Sequence, residues 1–182
     1  MKLVTPFGVV VLGVSLYACF SNVEPTTTEQ ATTESSTVVP VIIDLSYQNL
    51  IGEDLSGKDL SGANLEGANM SRANLQGANL SGATLIGAIL IGANLQGANL
   101  SGVDGYQCCW VGIKFQDANL TDVNLSNANL VEANMIGANL SGASLIGANL
   151  HGAQMFGAIV TGVDLSLADT SFAMLPDGSI HD

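Results

Sequence analysis

The chain has 182 residues and a formal net charge of −12, with four Lys and Arg residues against 16 Asp and Glu. Its content of 47% hydrophobic and 11% charged residues argues against ordinary disorder, which requires low hydrophobicity and high charge. Four scattered bases exclude a binding site for a nucleic-acid backbone, and three Cys and two His cannot complete a four-ligand zinc site unless distant residues converge.

The first 18 residues have the layout of a secretory signal. Lys2 precedes a long run without charge, which ends in Leu-Tyr-Ala-Cys at residues 16–19. This ending resembles the lipobox of bacterial lipoproteins, although its tyrosine is atypical, and the resemblance implies cleavage before Cys19 and a lipid on Cys19. Residues 1–18 are therefore predicted to be a signal peptide, with or without lipidation, or an uncleaved membrane anchor, since about 18 residues just span a bilayer.

Residues 19–42 are rich in Ser and Thr and contain three glutamates. A segment with so few large apolar residues does not offset the entropy cost of becoming ordered. We therefore predict a flexible linker. Behind a lipidated Cys19, this linker would hold the rest of the chain away from a membrane surface.

A five-residue repeat runs from residue 43 to residue 175 without insertion or deletion. Among its 27 units, the central position is Leu in 19, the small position two residues earlier is Ala in 18, and the corner position two residues later is Gly in 17. A helix repeats about every 3.6 residues and a strand every two or so, and neither fits. The period predicts a chain that turns one side of a square every five residues. Central and small side chains then point inward, and Gly turns the corners without steric cost.

Units such as Ala63-Asn64-Leu65-Glu66-Gly67 resemble the Ala-(Asn/Asp)-Leu-X-X pattern of the pentapeptide-repeat family. The resemblance covers residues 43–175. It implies an all-β fold, a right-handed quadrilateral parallel β-helix with about 6–7 coils of 20 residues at the usual strand spacing. Residues 176–182 are then a C-terminal tail.

Both ends of the predicted β-helix depart from the repeat. Gln48, Glu53 and Lys58 replace the small Ala in the first coil, which predicts a polar N-terminal cap. At the other end Thr170 replaces the central Leu, and Pro-Asp-Gly at residues 176–178 predicts a turn that leaves the helix. No capping helix is visible in the sequence there. An exposed last coil presents unpaired backbone groups that can pair with another chain, so a homodimer through the C-terminal end is one expectation.

The coil from residue 103 to residue 122 is irregular but stays in register. Gly105 stands at a central position, and Trp110 and Phe115 fill the next two. One interpretation is compensation, in which the larger neighbours fill the space that Gly105 leaves. The other is a bulged loop around Tyr106 and Gln107 that recognises a partner. Compensation is favoured because no residue is inserted.

Four successive corners lack Gly, namely Asp117, Asp122, Asn127 and Glu132. Asp and Asn tolerate left-handed backbone, which favours a structural substitution. Glu132, like Arg72 in an earlier coil, tolerates it less well and suggests a second type of turn. A calcium site is rejected, because the corners of a square point away from each other.

The register places Cys108 inside as a small core residue and Cys109 outside. A disulfide between adjacent cysteines is strained, so that bridge is not expected. An exposed Cys109 has two other options, a cross-link between two chains or a bond to an unlipidated Cys19. The sequence leaves the oxidation of both cysteines open. His151 and His181 are interpreted as lone surface residues.

Residues 20 positions apart stack on the same side of the predicted β-helix. Apolar residues thereby gather outside the core in two places, which predicts contact surfaces for a partner. The first comprises Ile89, Ile91, Cys109, Val111 and Val131, and the second, nearer the C-terminal end, comprises Ile136, Phe156 and Ile159.

No spacing of Ser, Cys, His and acidic residues indicates a catalytic site, and no cofactor or metal site is predicted. The sequence favours a non-catalytic, exported, periplasmic or lumenal scaffold or protein-binding module, tethered to a membrane through its N-terminus. The alternative comes from the resemblance, since some pentapeptide-repeat proteins mimic duplex DNA and bind gyrase. Mimicry needs charge along a face, whereas the acids lie mostly at the two ends and residues 83–102 contain no charge.

Overall fold

The computed structural model describes residues 42–181. The predicted signal or anchor over residues 1–18, the linker up to residue 41 and the lipidation candidate Cys19 lie outside the described residues. The chain divides into two units, and Asp44–Asp182 is the second of them. In the part of the chain that is described, no helix is long and apolar enough to cross a membrane.

The second unit is a stack of parallel coils of 20 residues. Parallel β-bridges join residues 20 positions apart, from Asp44 and Asn64 to Gln154 and Met174. Almost every side of a coil contributes a single bridge between two turns, the side at Asp164 being an exception, and no extended strand forms within residues 42–181. The one helical element there is a 3-10 helix at Leu165–Leu167. The predicted parallel stacking with four sides per coil is therefore confirmed for this region.

We number the four faces by their central residues. Face 1 begins with Leu45, face 2 with Leu50, face 3 with Leu55 and face 4 with Leu60, and each continues at every twentieth residue. A position along the sequence thus fixes both the face and the height of a side chain in the stack.

Backbone hydrogen bonds hold neighbouring coils together on every side. The amide of Leu75 donates to the carbonyl of Asn94 in the next coil at 2.7 Å, and the amide of Gly77 donates to Gln96 at 3.0 Å. The turn itself is closed by the amide of Ala78, which donates to the carbonyl of Leu75 at 3.0 Å. These bonds satisfy the polar backbone of a chain that makes no helix or long strand.

The core is a column of alternating large and small side chains. Central Leu65 and small Ala63 both have 0% of their surface exposed, and this burial recurs up to Met155. At the first coil, Gln48 and Glu53 are exposed and Lys58 is half-buried, although they occupy the small position. Polar side chains therefore border the N-terminal end of the core, where an apolar residue would meet solvent.

All the non-glycine corners of the 117–132 run have the same left-handed backbone as the glycine corners. Arg72 has φ 59° and Glu132 has φ 57°, whereas Gly92 has φ 64°. The prediction of a second turn type at Arg72 and Glu132 is therefore wrong. The hydrogen-bonding pattern of the coil imposes one corner geometry, and the side chain has to accept it.

Gly105 makes room for an aromatic pair. A Cβ at Gly105 would lie 3.1 Å from Trp110 Cη2 and 3.1 Å from Leu125 Cδ2. The rings of Trp110 and Phe115 pack edge to face with centroids 5.5 Å apart. The backbone stays paired, since the amide of Gly105 donates to Asn124 at 2.8 Å. The compensation hypothesis is confirmed, and no bulge forms.

The described part of the tail folds back onto the last coil. Ile180 pairs antiparallel with Met174, and the amide of His181 donates to the carbonyl of Ala173 at 3.0 Å. The imidazole Nδ1 of His181 is hydrogen-bonded to the hydroxyl of buried Thr170. His181 is therefore not a lone surface residue, and one edge of the last coil is covered. We call residues 179–181 the strap.

Candidate contact surface

The regular faces are covered by ladders of side-chain amides. On face 4, Asn79 Oδ1 accepts from the amide of Ser81 at 3.2 Å and from Asn99 Nδ2 at 3.1 Å. Asn119 continues the ladder by donating to Asn99 Oδ1 at 3.0 Å. These bonds engage the side-chain amides of Asn79 and Asn99 between coils, which gives the Asn before the central Leu a structural role. The sequence analysis assigned these residues only to a polar exterior.

Aspartates start the ladders on three faces. Asp54 Oδ1 accepts from Asn74, Asp59 Oδ1 from Asn79 and Asp104 Oδ1 from Asn124, each at 3.0 Å. A carboxylate accepts but does not donate, so it suits the first position of a ladder in which each amide donates to the coil before it. Hydrogen bonds from Ser56, first from its side chain and then from its backbone, lower the pKa of Asp54.

Face 2 interrupts this polar pattern. A β-bridge pairs Ile89 with Cys109 in the next coil. The amides of Gly92 and Gly112 donate to the carbonyls of Val111 and Val131, each at 2.9 Å, which sets Ile91, Val111 and Val131 in successive coils. The five predicted residues of the first surface are therefore brought together. We call this set the apolar patch. It comprises Ile89, Ile91, Cys109, Val111 and Val131. Ile91 is 44% exposed and the others are half-buried.

Two charged residues stand at the ends of the apolar patch. Arg72 and Glu132 occupy corners of face 2, and the two corners between them are Gly92 and Gly112. Arg72 Cγ would lie 3.9 Å from a Cβ at Gly92, and Glu132 Cγ would lie 3.8 Å from one at Gly152. Both side chains therefore lean toward the following coil, and both are exposed.

The second predicted surface is only partly continuous. Ile136 and Phe156 are neighbours on face 3, because the amide of Gly137 donates to the carbonyl of Phe156 at 3.1 Å. Ile159 lies beyond the next corner, on face 4. The ring of Phe156, 55% exposed, lies against Gly178, where a Cβ would be 3.3 Å from Phe156 Cδ2. This surface therefore borders the turn that leads into the strap.

The C-terminal region exposes further apolar side chains that the sequence analysis did not select. Two of them had a signal in the sequence, since Leu167 and Phe172 hold corner positions that Gly usually fills. The exposed large apolar residues missed in this region are Ile146, Leu167, Phe172 and Ile180. His151, interpreted from sequence as a lone residue, packs against Phe172 with ring centroids 5.3 Å apart, which corrects that interpretation.

The cysteines have separate environments, as the register predicts. Cys108 is 2% exposed, and burial raises the pKa of its thiol, which disfavours the reactive thiolate. Cys109 is half-buried within the apolar patch, and no disulfide joins the two. No group of three or more His, Cys, Asp or Glu among residues 42–181 could hold a metal ion.

Comparison with known proteins identifies the repeat. The family described as pentapeptide repeats matches in eight copies, over residues 43–77, 68–104, 107–135 and 133–169. No curated protein sequence matches the chain.

Three solved structures are similar to parts of the chain. HetL, a pentapeptide repeat protein involved in heterocyst differentiation regulation from the cyanobacterium Nostoc sp. strain PCC 7120, is 30% identical over 76% of this chain and 78% of its own, with a TM-score of 0.43. A pentapeptide repeat protein from the Arabidopsis thaliana thylakoid lumen is 42% identical over 56% and 68%, with a TM-score of 0.32. QnrB1, a plasmid-mediated fluoroquinolone resistance protein, is 22% identical over 75% and 76%, with a TM-score of 0.41. Because the family model matches more than half of the chain, between residues 43 and 169, the chain belongs to the pentapeptide-repeat family.

Proposed function

We propose that this protein is a non-catalytic, exported binding module that meets a protein partner through the apolar patch on face 2. The observation that carries the proposal is the contiguity of the patch. Its five side chains adjoin each other in successive coils, whereas the equivalent positions of face 4 hold Asn, Ser and Thr residues that take part in the hydrogen-bonded ladder. Contiguous exposed apolar surface of this kind is typical of contact sites.

The hydrogen-bonded side chains of face 4 also support face 2 as the contact surface. The amide and carbonyl of Asn99 are already bonded to neighbouring coils and to Ser101, so face 4 has few free polar groups to offer. Ile91 and Val111 make no such bonds, and water is released when they are covered. Duplex-DNA mimicry receives no support from charge placement, because residues 83–102 carry none.

Partner binding can be tested by placing a charge in the apolar patch. We expect Val111→Asp to abolish a specific cross-linked product formed by the full chain in its native cells. The control is Thr121→Asp, which alters a half-buried residue at the equivalent position of face 4. Cross-linking that is equal in both variants contradicts the proposed surface.

Export and tethering rest on the sequence of the first 19 residues. We expect cleavage after residue 18 and a lipid on Cys19, seen as a mass increase on the N-terminal peptide and as recovery of the protein with membranes. Cys19→Ser then releases the protein into the soluble exported fraction. An uncleaved and unmodified N-terminus contradicts both signal interpretations.

A further inference from the structure

We infer that the apolar patch is a homodimer interface, in which two copies pack face 2 against face 2 with their coil axes antiparallel. The inference rests on the proposed function, because it names a second copy of this chain as the partner. It is carried by the positions of Arg72 and Glu132 relative to the patch.

The two charges bracket the patch along one line. Arg72 and Glu132 lie at the same corner of face 2, three coils apart, which is about 14 Å at the usual spacing of β-strands. Between them the corner holds only Gly92 and Gly112. Arg72 is the single arginine of the chain, and no other non-glycine corner with left-handed backbone within residues 42–181 carries a long charged side chain.

The backbone of both residues is unfavourable for side chains of this kind. Arg72 and Glu132 have φ 59° and 57°, in the left-handed region that Gly adopts freely and that residues with a Cβ adopt at a cost. In the proposed dimer, an ion pair at each of these corners contributes favourable energy against this cost.

Antiparallel packing makes these charges reciprocal. A two-fold axis that lies in the contact plane, perpendicular to the coil axis, reverses the order of the coils but keeps the corner on the same side. Arg72 of each copy then faces Glu132 of the other. The side chains of Arg72 and Glu132 both lean toward the following coil. The point midway between these two charges therefore lies near the coil position of Cys109 and Val111. The charges and the apolar patch therefore share one centre.

Parallel packing fails on the same geometry. A two-fold axis along the coil axis keeps the order of the coils but moves this corner to the opposite edge of the face, so neither Arg72 nor Glu132 of one copy faces an opposite charge of the other. In the antiparallel arrangement the apolar side chains supply the attraction, and the two ion pairs select the orientation. The patch is small for an interface, so we expect a weak dimer that forms with rising concentration.

Charge reversal tests the inference by sedimentation equilibrium on the full chain. Arg72→Glu and Glu132→Arg each place two like-charge contacts in the dimer, and we expect the dissociation constant to rise at least about tenfold. The double variant exchanges the two charges, and we expect it to dissociate within about threefold of the unmodified chain. Lys114→Glu, a reversal at an exposed residue of face 3, leaves the constant unchanged. Thermal unfolding confirms that every variant is folded.

Three results would overturn the inference. They are an unmodified chain that stays monomeric up to about 200 µM, single reversals that leave dimerisation unaffected, and a double variant no better than the single ones. Association through any other part of the chain is common to all variants and does not produce the rescue. If the inference fails while Val111→Asp still abolishes the cross-link and Thr121→Asp does not, the proposed function stands with a different partner.

Discussion

Several corner residues with a side chain occupy the space beside the glycine at the same corner of the next coil. A Cβ at Gly67 would lie 2.5 Å from the ring of Tyr47, and one at Gly147 would lie 2.5 Å from Asn127 Oδ1. Glycine at these sites is therefore needed twice, for its own left-handed backbone and for the side chain that leans over it from the coil before.

This pairing predicts a conditional cost for Gly147→Ala. Alone, the change forces alanine into left-handed backbone, which costs about 1–2 kcal/mol, and it also displaces Asn127. We expect the free energy of unfolding to fall by more than for Gly102→Ala, since a Cβ at Gly102 meets nothing within 4 Å. When Asn127 is also replaced by Gly, we expect Gly147→Ala to lower the free energy of unfolding by the same amount as Gly102→Ala. Urea unfolding of the unmodified chain, Asn127→Gly, Gly147→Ala and the double variant measures the coupling, with Gly102→Ala as the reference, and full additivity contradicts the pairing.

Gly105 is required for space alone. Both neighbours of its missing Cβ, Trp110 and Leu125, are 0% exposed and have no room to withdraw. We expect Gly105→Ala to lower the free energy of unfolding by about 1–3 kcal/mol. Adding Trp110→Phe, which shortens the ring that meets the new methyl, should restore part of the loss relative to Trp110→Phe alone. Unfolding of Gly105→Ala can be followed by tryptophan emission. Unfolding of the variants that also lack Trp110 is followed by far-ultraviolet circular dichroism.

At the scale of the ladder, the end coils depend on ionised aspartates. Hydrogen bonds from the neighbouring serine, first from its side chain and then from its backbone, lower the pKa of Asp54, Asp59 and Asp169 below the ordinary 3.8. A carboxyl group whose pKa is lower in the folded state stabilises the fold at any pH above its pKa in the unfolded state. This stabilisation is lost as the pH falls through the pKa of the folded state.

We therefore expect the Tm to be nearly constant from pH 7 to about 5 and to fall as the pH drops below 3.8. Ser56→Ala removes the largest cause of the lowered pKa of Asp54 and should make the acid loss shallower. Ser141→Ala, which removes a hydroxyl that donates to neutral Asn139, is the matched control. A Tm that falls equally in Ser56→Ala and the unmodified chain contradicts this assignment.

At the scale of the strap, one buried hydroxyl links the tail to the last coil. Thr170 is 6% exposed and is hydrogen-bonded to His181 Nδ1. Thr170→Val keeps the shape but leaves the imidazole without this partner, which costs about 1 kcal/mol. We expect faster hydrogen exchange at the amide of His181, which is otherwise bonded to the carbonyl of Ala173. Ser166→Ala, at an exposed serine, should leave that exchange rate unchanged.

At the scale of the whole molecule, coils behave as interchangeable units. Removal of residues 83–102 deletes one coil without charge and joins Gly82 to Val103 in register. Because each coil contacts mainly its neighbours, we expect a folded protein with a lower Tm. Removal of residues 83–100 deletes nearly as much but breaks the register, and we expect it to leave no cooperative unfolding transition by circular dichroism. Equal behaviour of the two deletions contradicts the role of register.

The repeat alone predicted the stacking, the faces and the inward pairing of Trp110 with Gly105, because a strict period converts sequence distance into spatial position. It did not predict the strap, since the tail has no repeat and its pairing with Met174 depends on a turn that reverses the chain. The uniform corner of Glu132 was also missed, because side-chain preference is weaker than the hydrogen bonds that bind successive coils. The apolar patch followed from register, while its charged borders needed the direction in which the side chains lean.

The 20-residue spacing of every bridge between coils also governs how the molecule assembles. Each new coil closes a loop of the same length on the coil before it, so the entropy of closure is the same at every step. Lengthening the stack therefore does not raise the sequence separation of its contacts, the property that slows most β-proteins. Folding can begin in any pair of adjacent coils and extend in both directions until polar residues end the core at the first coil and the strap covers an edge of the last.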